Sequence, residues 1–313
     1  MDPKKFVLLH QTQGAADMPA AVPAEHEQAG TDELESWGKI TWRRFCQNKA
    51  AVYSMIILVI TILIAVLAPV IAPYDPAQTV GAFDESPSSS FLLGTDDVGR
   101  DVLSRLIYGS QVSLIVGIGS VCIYALIGVT LGLLSGYFGG WLDGLIMRMT
   151  EVFMSYPQFM IILVIVSLIG PNMMTVMLVM GLMGWPPICR LVRGEVMRIK
   201  TIDYVAAAIV TGYSPCTIVF RHILPNVLSP ILVNCTFGIA QAILIEAALS
   251  FLGMGVQPPA SSWGNMLTSA QSIMILSEEP WRWIPPGIAI LIAVLTINFL
   301  GDGLNEAIHG DTK

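Results

Sequence analysis

The sequence predicts an all-α integral membrane protein with six transmembrane helices and both termini in the cytoplasm. Three observations carry this. Of 313 residues, 54% are hydrophobic and only 12% charged, against about 25% charged in a typical soluble domain. No Asp, Glu, Lys or Arg lies between Lys49 and Asp75, Arg105 and Asp143, Glu151 and Arg190, or Arg221 and Glu246. About 20 apolar residues suffice for a helix to cross a bilayer. The third observation is where the basic residues fall: a six-span arrangement puts 13 Lys/Arg inside and 3 outside (Arg100, Arg105, Arg282), as the positive-inside bias requires.

The elements follow in order. Residues 1–36 are polar, with Glu25, Glu27, Asp32, Glu33 and Glu35 and no apolar core, which reads as a disordered cytoplasmic tail and not a cleavable signal. Residues 37–49 interleave Trp37, Ile40, Trp42 and Phe45 with Lys39, Arg43, Arg44 and Lys49, a pattern for a basic interfacial helix. The first span covers 50–72, and an acidic, Ser-rich extracytoplasmic loop occupies 73–110. Within that loop Arg100 to Tyr108 reads as a short amphipathic surface helix. Asp96 or Asp97 would cap it, and Asp101 and Arg105 are spaced for a pair.

Five further spans fill residues 111–302. The uncharged stretch Leu106–Leu142 has 37 residues and is read as one long span. Two spans there would move Arg190, Arg193, Arg198 and Lys200 outside. Val152–Cys189 is divided at Gly170-Pro171-Asn172, a strong turn signal, into two spans. Asn226–Leu249 and Trp283–Leu300 complete the set, and 303–313 form a cytoplasmic end. Gly128, Gly132, Gly136 and Gly140 recur every fourth residue, a ridge of small residues that lets two helix backbones approach closely in lipid. Asp143, Arg148 and Glu151 flank the third span on the inner side, the last two at ion-pair spacing.

The cytoplasmic loop 190–225 holds the least expected segment, DYVAAAIVTGYSPCTIVFRHILPN. Asp203 starts a short helix as its N-cap or first-turn acid. Gly212 stops it, because glycine takes the left-handed conformation cheaply. Ser214 and Pro215 restart a second helix as N-cap and first residue, running toward Arg221 and His222, and Pro225 marks entry to the fifth span. Tyr204, Val205, Ala206, Ala207, Ala208, Ile209 and Val210 are apolar on nearly every side, a poor surface to leave in water. Lipid headgroups, the rest of the chain, or a partner's groove could each cover them.

Here a family resemblance becomes visible. Ala207-Ala208, Gly212 and then His222-Ile223-Leu224-Pro225 resemble the cytoplasmic signature of ABC importer permeases, EAA-x3-G-x9-I-x-LP, with Ala206 at the glutamate position and His222 at the isoleucine position. LLGTDDVGRDVLSRLIYGSQVSL, EAALSFLGMGVQPPASSWGNML and NFLGDGLNEAI resemble the C-type permeases of the dipeptide/oligopeptide/nickel transport family, and the likeness runs from Trp42 to Ile308. The resemblance implies a type I ABC importer permease fold and a coupling helix that docks on an ATPase subunit. It also implies the partners: a B-type permease subunit, two ABC ATPase subunits that bind the ATP and Mg, an extracytoplasmic substrate-binding protein, and a prokaryotic inner membrane. The substrate it implies is a di- or oligopeptide, with nickel or a metal chelate as the competitor.

Other chemistry finds little purchase. Cys46, Cys122, Cys189, Cys216 and Cys235 form no CxxC pair, and His10, His26, His222 and His309 have no ligand spacing, so no metal site is expected. Nucleic-acid binding has no support. The one Gly-Lys pair, Gly38-Lys39, is followed by Ile40 and makes no phosphate loop, so no cofactor is expected on this chain. An intramembrane protease would need paired catalytic groups at depth. An ion-coupled secondary transporter usually shows internal repeats and midplane charge, neither of which is visible. Glu246, at the outer end of span five, is a candidate for the translocation path or its gate, because ionisable groups in spans are functional candidates by default.

Overall fold

Among the described residues, five helices are long and apolar enough to cross a membrane, and two shorter helices joined at an 81° bend pass the same test of length and composition together, for up to six crossings. The computed structural model describes residues 37–309, with side chains over 41–308. The expected disordered tail over 1–36, and the last residues of the expected 303–313 end, lie outside that range. The chain divides between Ile40 and Thr41, and the part from Thr41 on holds the membrane helices and their connections.

Helix α1 (Trp37–Gln47) ends at Asn48, whose side chain accepts from the Ala51 amide and so starts α2 (Lys49–Val66). Phe45 turns inward against Ala51 and Ala307. The first crossing finishes with α3 (Ala68–Ile71), one turn started by Pro69. Residues 73–101 form the following loop.

Helix α4 (Val102–Phe138) then runs unbroken for 37 residues. The short surface helix expected from Arg100 is therefore the first turns of this crossing, and the loop ends at Asp101. Asp101 itself is the N-cap, accepting from the Ser104 amide at 2.7 Å. Its expected pairing with Arg105 does not form: Arg105 lies 3.4 Å from Asp96, which also holds Arg100 at 2.8 Å. A carboxylate committed to capping amides has its oxygens turned away from the helix flank.

Helices α5 (Gly140–Met154) and α6 (Gln158–Ile169) form the bent pair. Pro157 lacks an N–H to continue the α-helical ladder and disfavours helical geometry in Tyr156, so the chain breaks there. Gly170-Pro171-Asn172 makes the expected turn, and Asn172 caps α7 (Met173–Met183). Helix α8 (Trp185–Lys200) continues that crossing, with Pro186 in its first turn. Two short helices, α9 (Asp203–Val210) and α10 (Pro215–Thr217), precede a π-helical stretch over Ile218–Ile223. That stretch leads without interruption into α11 (Leu224–Phe251). After α12 (Trp263–Met266), a 3-10 segment and α13 (Ile273–Glu278), α14 (Pro280–His309) makes the last crossing.

The glycine ridge is where α4 meets α8. A Cβ at Gly132 would sit 2.7 Å from the Cys189 carbonyl and from Val192, and one at Gly136 2.7 Å from Val196. At Gly128 it would strike Ile188 and the Trp185 carbonyl. Gly140 lies beyond the end of α4, at φ +56° with no neighbour within 4 Å, and is the first residue of α5. The helices thus approach as closely as backbones allow, and Leu133, Ile188, Val192 and Val196 join one apolar cluster with the loop residues Val205, Ile218 and Ile223.

Candidate docking loop

That shared cluster is what fixes loop 190–225. Helix α9 turns Val205 (0% exposed) into the cluster, also buries Ala208, and leaves most of the rest of its surface outward. Asp203 stands in its first turn; the N-cap is Ile202, which offers no side-chain acceptor. Gly212 takes φ +79°. Its N–H donates to the Ile209 carbonyl and that of Tyr213 to the Ala208 carbonyl, at 3.1 and 3.2 Å, the paired bonds of a Schellman stop. Ser214 then caps the next turn, accepting from the Thr217 amide at 3.2 Å, with Pro215 at its first position.

The second helix does not end before the fifth crossing, where a separate helix pair was expected. Pro225 has no N–H for an α-helical bond to Arg221, and the backbone absorbs the loss by widening its register. The Leu224 N–H reaches back five residues to Val219, the π pattern that often marks functional sites. Pro215 to Phe251 thereby becomes one continuous rod, with Arg221 exposed on its flank and Leu224 packed against the α4–α8 cluster.

Two further contacts tie the loop's halves together. The Asn226 amide donates to the Tyr204 hydroxyl at 3.1 Å and to the His222 carbonyl at 2.7 Å. The His222 ring lies 6.3 Å from the rings of both Tyr204 and Tyr213. The approach to the loop is also braced. Arg193 grips Asp143 with two hydrogen bonds of 2.5 and 2.7 Å, Ser135 donates to the same carboxylate, and Lys200 donates to the Tyr137 carbonyl at 2.6 Å. Arg148 and Glu151 form their expected pair at 2.9 Å on the exposed side of α5.

Much of what the loop presents outward is apolar. Val210 is 86% exposed and Phe220 65%, with Tyr204, Ile209 and Tyr213 beside them. Ala206 is half-buried and Ala207 exposed. Sequence reasoning singled out Asp203, Tyr204, Ala206, Ala207, Ala208, Gly212, Ser214, Pro215, Arg221, His222, Leu224 and Pro225; of these the structure sets His222 beside Tyr204 and packs Leu224 on the cluster that holds Val205. That reasoning missed Tyr213, Phe220 and Asn226. Their outward or bridging position depends on which face the cluster claims, and the one local clue was that Val205 and Ala208 are three residues apart.

Glu246 lies far along the same rod, wholly buried. Ser250 and Ser262 donate to one of its carboxylate oxygens at 2.7 and 2.8 Å, and Ser113 approaches the other at 3.4 Å. It joins α4, α11 and the cap of α12. Nearby, buried Arg282 at the start of α14 reaches Asp84 at 2.6 Å, Glu279 at 2.7 Å and Asp97 at 3.4 Å. It pins loop 73–101 to the last crossing. Asp84 lies outside the spans, and burial pushes its carboxyl above the usual range, with Arg282 opposing.

Comparison with known proteins bears on these features. Residues 128–313 match the family described as binding-protein-dependent transport system inner membrane component, and residues 36–87 match the N-terminal transmembrane domain of oligopeptide transport permease C. The di/tripeptide transport system permease protein DppC of Pseudomonas aeruginosa is 38% identical over 281 residues, covering 87% of this chain and 91% of its own. The glutathione transport system permease protein GsiD of Pectobacterium atrosepticum is 40% identical over 275 residues, 87% of this chain and 90% of its own. The dipeptide transport system permease protein DppC of Haemophilus influenzae is 39% identical over 279 residues, with 87% and 94% covered. An inward-facing structure of the MetNI methionine ABC transporter superposes with TM-score 0.51 at 21% identity, over 66% of this chain and 97% of that one, a likeness of fold. The chain belongs to the family of binding-protein-dependent transport system inner membrane components.

Proposed function

We propose that this chain is the C-type permease subunit of an ATP-driven importer of short peptides in a prokaryotic inner membrane. It would supply half of the pathway, the other half coming from a B-type permease. The observation that carries the reading is the apolar tip of loop 190–225, solvent-facing at Val210 and Phe220 yet held rigidly from behind by a buried cluster. A flexible apolar loop would collapse onto its own chain; this one cannot, so a partner surface must cover it. Docking into a groove of an ATPase subunit fits its size and shape. ATP and Mg then act on that partner, and this chain carries no chemistry of its own.

The continuous rod from Pro215 to Phe251 supplies the mechanics. Movement imposed on the loop by closure of the ATPase pair passes along one helix to the Glu246 cage at the far end. Glu246 acts there as a positioning residue for the outer gate. ATP binding would favour the outward-open arrangement by differential affinity for the docked loop, a population shift. The loop end, with both termini, faces the cytoplasm, and an extracytoplasmic binding protein delivers substrate to the opposite end. Three relatives are named for dipeptide, di/tripeptide and glutathione transport, which favours a peptide over a metal chelate.

The test is purification of the tagged chain from its native membrane in mild detergent. A second permease and ATPase subunits should come with it, and ATP hydrolysis should rise when the loaded binding protein and a dipeptide are added. Isolation of the chain alone in several detergents, with no ATPase activity, would overturn the proposal.

A further inference from the structure

A cavity of about 300 Å³ opens between α4, α6, the α7–α8 junction and α11. Ser120 and Tyr124 wall it from α4, Gln158 from the break before α6, and Asn234, Gly238 and Gln241 from α11. Asn234 and Gln241 are seven residues apart, two full turns, so they stand on one face near the middle of the rod. Gly238 stands between them. A Cβ there would fall on the Tyr124 hydroxyl, so the absence of a side chain lets the phenol lie against α11 and into the cavity wall.

Three primary amides at this depth need an explanation. The side-chain amides of Gln158, Asn234 and Gln241 make no hydrogen bond to another described residue, and Gln158 and Gln241 are exposed. Polar groups that bridge helices in lipid find partners on those helices, and amides facing hydrocarbon would be left unpaired at high cost. These face a cavity. The lining contains no Asp, Glu, Lys, Arg or His, whereas the cavity at the Arg282 end is lined by Asp96, Asp97, Arg100, Arg105 and Arg282.

Resting on the importer reading above, we infer that this face is the chain's share of the translocation path, a neutral hydrogen-bonding wall for zwitterionic peptides. An amide donates and accepts, so Asn234 and Gln241 can meet peptide N–H and C=O groups and both chain termini as these shed water. With no fixed charge in the wall, acidic, basic and neutral side chains meet the same surroundings. Discrimination by side-chain charge is left to the ends of the path and to the protein that delivers the peptide.

The test uses the complete importer in lipid vesicles, with this chain's five native cysteines replaced by Ala or Ser in a background that retains dialanine uptake. Single cysteines are placed by Gln241→Cys and Asn234→Cys, with Leu126→Cys as control, an exposed residue on the opposite side of α4 from Tyr124. Only the thiolate attacks a membrane-impermeant charged thiol reagent, and forming the thiolate needs water. Gln241→Cys or Asn234→Cys should react at least about tenfold faster than the control, and saturating dialanine with its binding protein should slow the reaction. Both cysteines unreactive in every nucleotide state, in vesicles that still import dialanine, would overturn this inference and leave the importer reading standing. Rapid labelling that dialanine does not slow would reduce the cavity to a water-filled cleft and also overturn it. Failure of the unmodified importer to take up any dipeptide would instead defeat the peptide reading itself.

Discussion

The Asn226 side chain, at the foot of the fifth crossing, donates 3.1 Å to the hydroxyl of Tyr204 in the first turn of α9. This bond links the exposed helix of the loop to the rod that would carry its movement. A hydrogen bond contributes about 1 kcal/mol net, and an exposed one less. Tyr204→Phe should therefore leave assembly intact but lower peptide-stimulated ATP hydrolysis roughly two- to fivefold, the factor that such an energy represents. Equal stimulation in the variant and the parent protein would show that the bond transmits nothing.

The stop at Gly212 is conformational, with no neighbour within 4 Å of an added Cβ. Gly212→Val would put a branched side chain at φ +79°, at a cost of roughly 1–2 kcal/mol. Gly212→Asn should be milder, because asparagine tolerates this region. Proteolysis within 203–215 should accelerate for the valine variant and change little for the asparagine variant.

Close approach, not conformation, governs Gly132. Gly132→Val would drive carbons into Cys189 and Val192 and should destabilise by about 1–3 kcal/mol, as overpacking does. Gly194, on the exposed side of α8 with no neighbour within 4 Å, is the control. Gly194→Ala should be neutral or stabilising by up to about 1 kcal/mol through helix propensity. Thermal unfolding in detergent separates the two.

The buried Glu246 accepts from serines on two segments and approaches a third. Glu246→Leu strands those hydroxyls and should cost about 1–3 kcal/mol. Glu246→Gln keeps an acceptor and should lose less stability. If positioning is its role, Glu246→Gln should retain most peptide uptake in vesicles, while Glu246→Leu loses it even at temperatures where the protein stays folded.

Much of this architecture was legible because it is local. Uncharged length located the crossings, the Gly170-Pro171-Asn172 turn separated two of them, and Gly212, Ser214 and Pro215 announced the stop and restart of the loop. The misreadings came where distant partners decide. Asp101 and Arg105 had ideal helical spacing, yet Asp101 was needed as a cap and Arg105 was drawn to Asp96. Asp143 found Arg193, 50 residues away, which no spacing rule reaches. Pro225 signalled a helix boundary, but a π register carried the rod through it. The apolar character of α9 could be read, whereas the face left uncovered depended on a cluster assembled from four segments.

Val210, 86% exposed on loop 190–225, is where a covering partner would seat and is the residue to probe. Val210→Asp alters no buried contact, so the chain should fold and reach the membrane with its second permease. Co-purification of ATPase subunits with the tagged variant, measured against the unaltered chain, is the decisive comparison. Loss of the ATPase with the permease pair retained is the predicted result. Full recovery of ATPase with undiminished peptide-stimulated hydrolysis would contradict the docking reading.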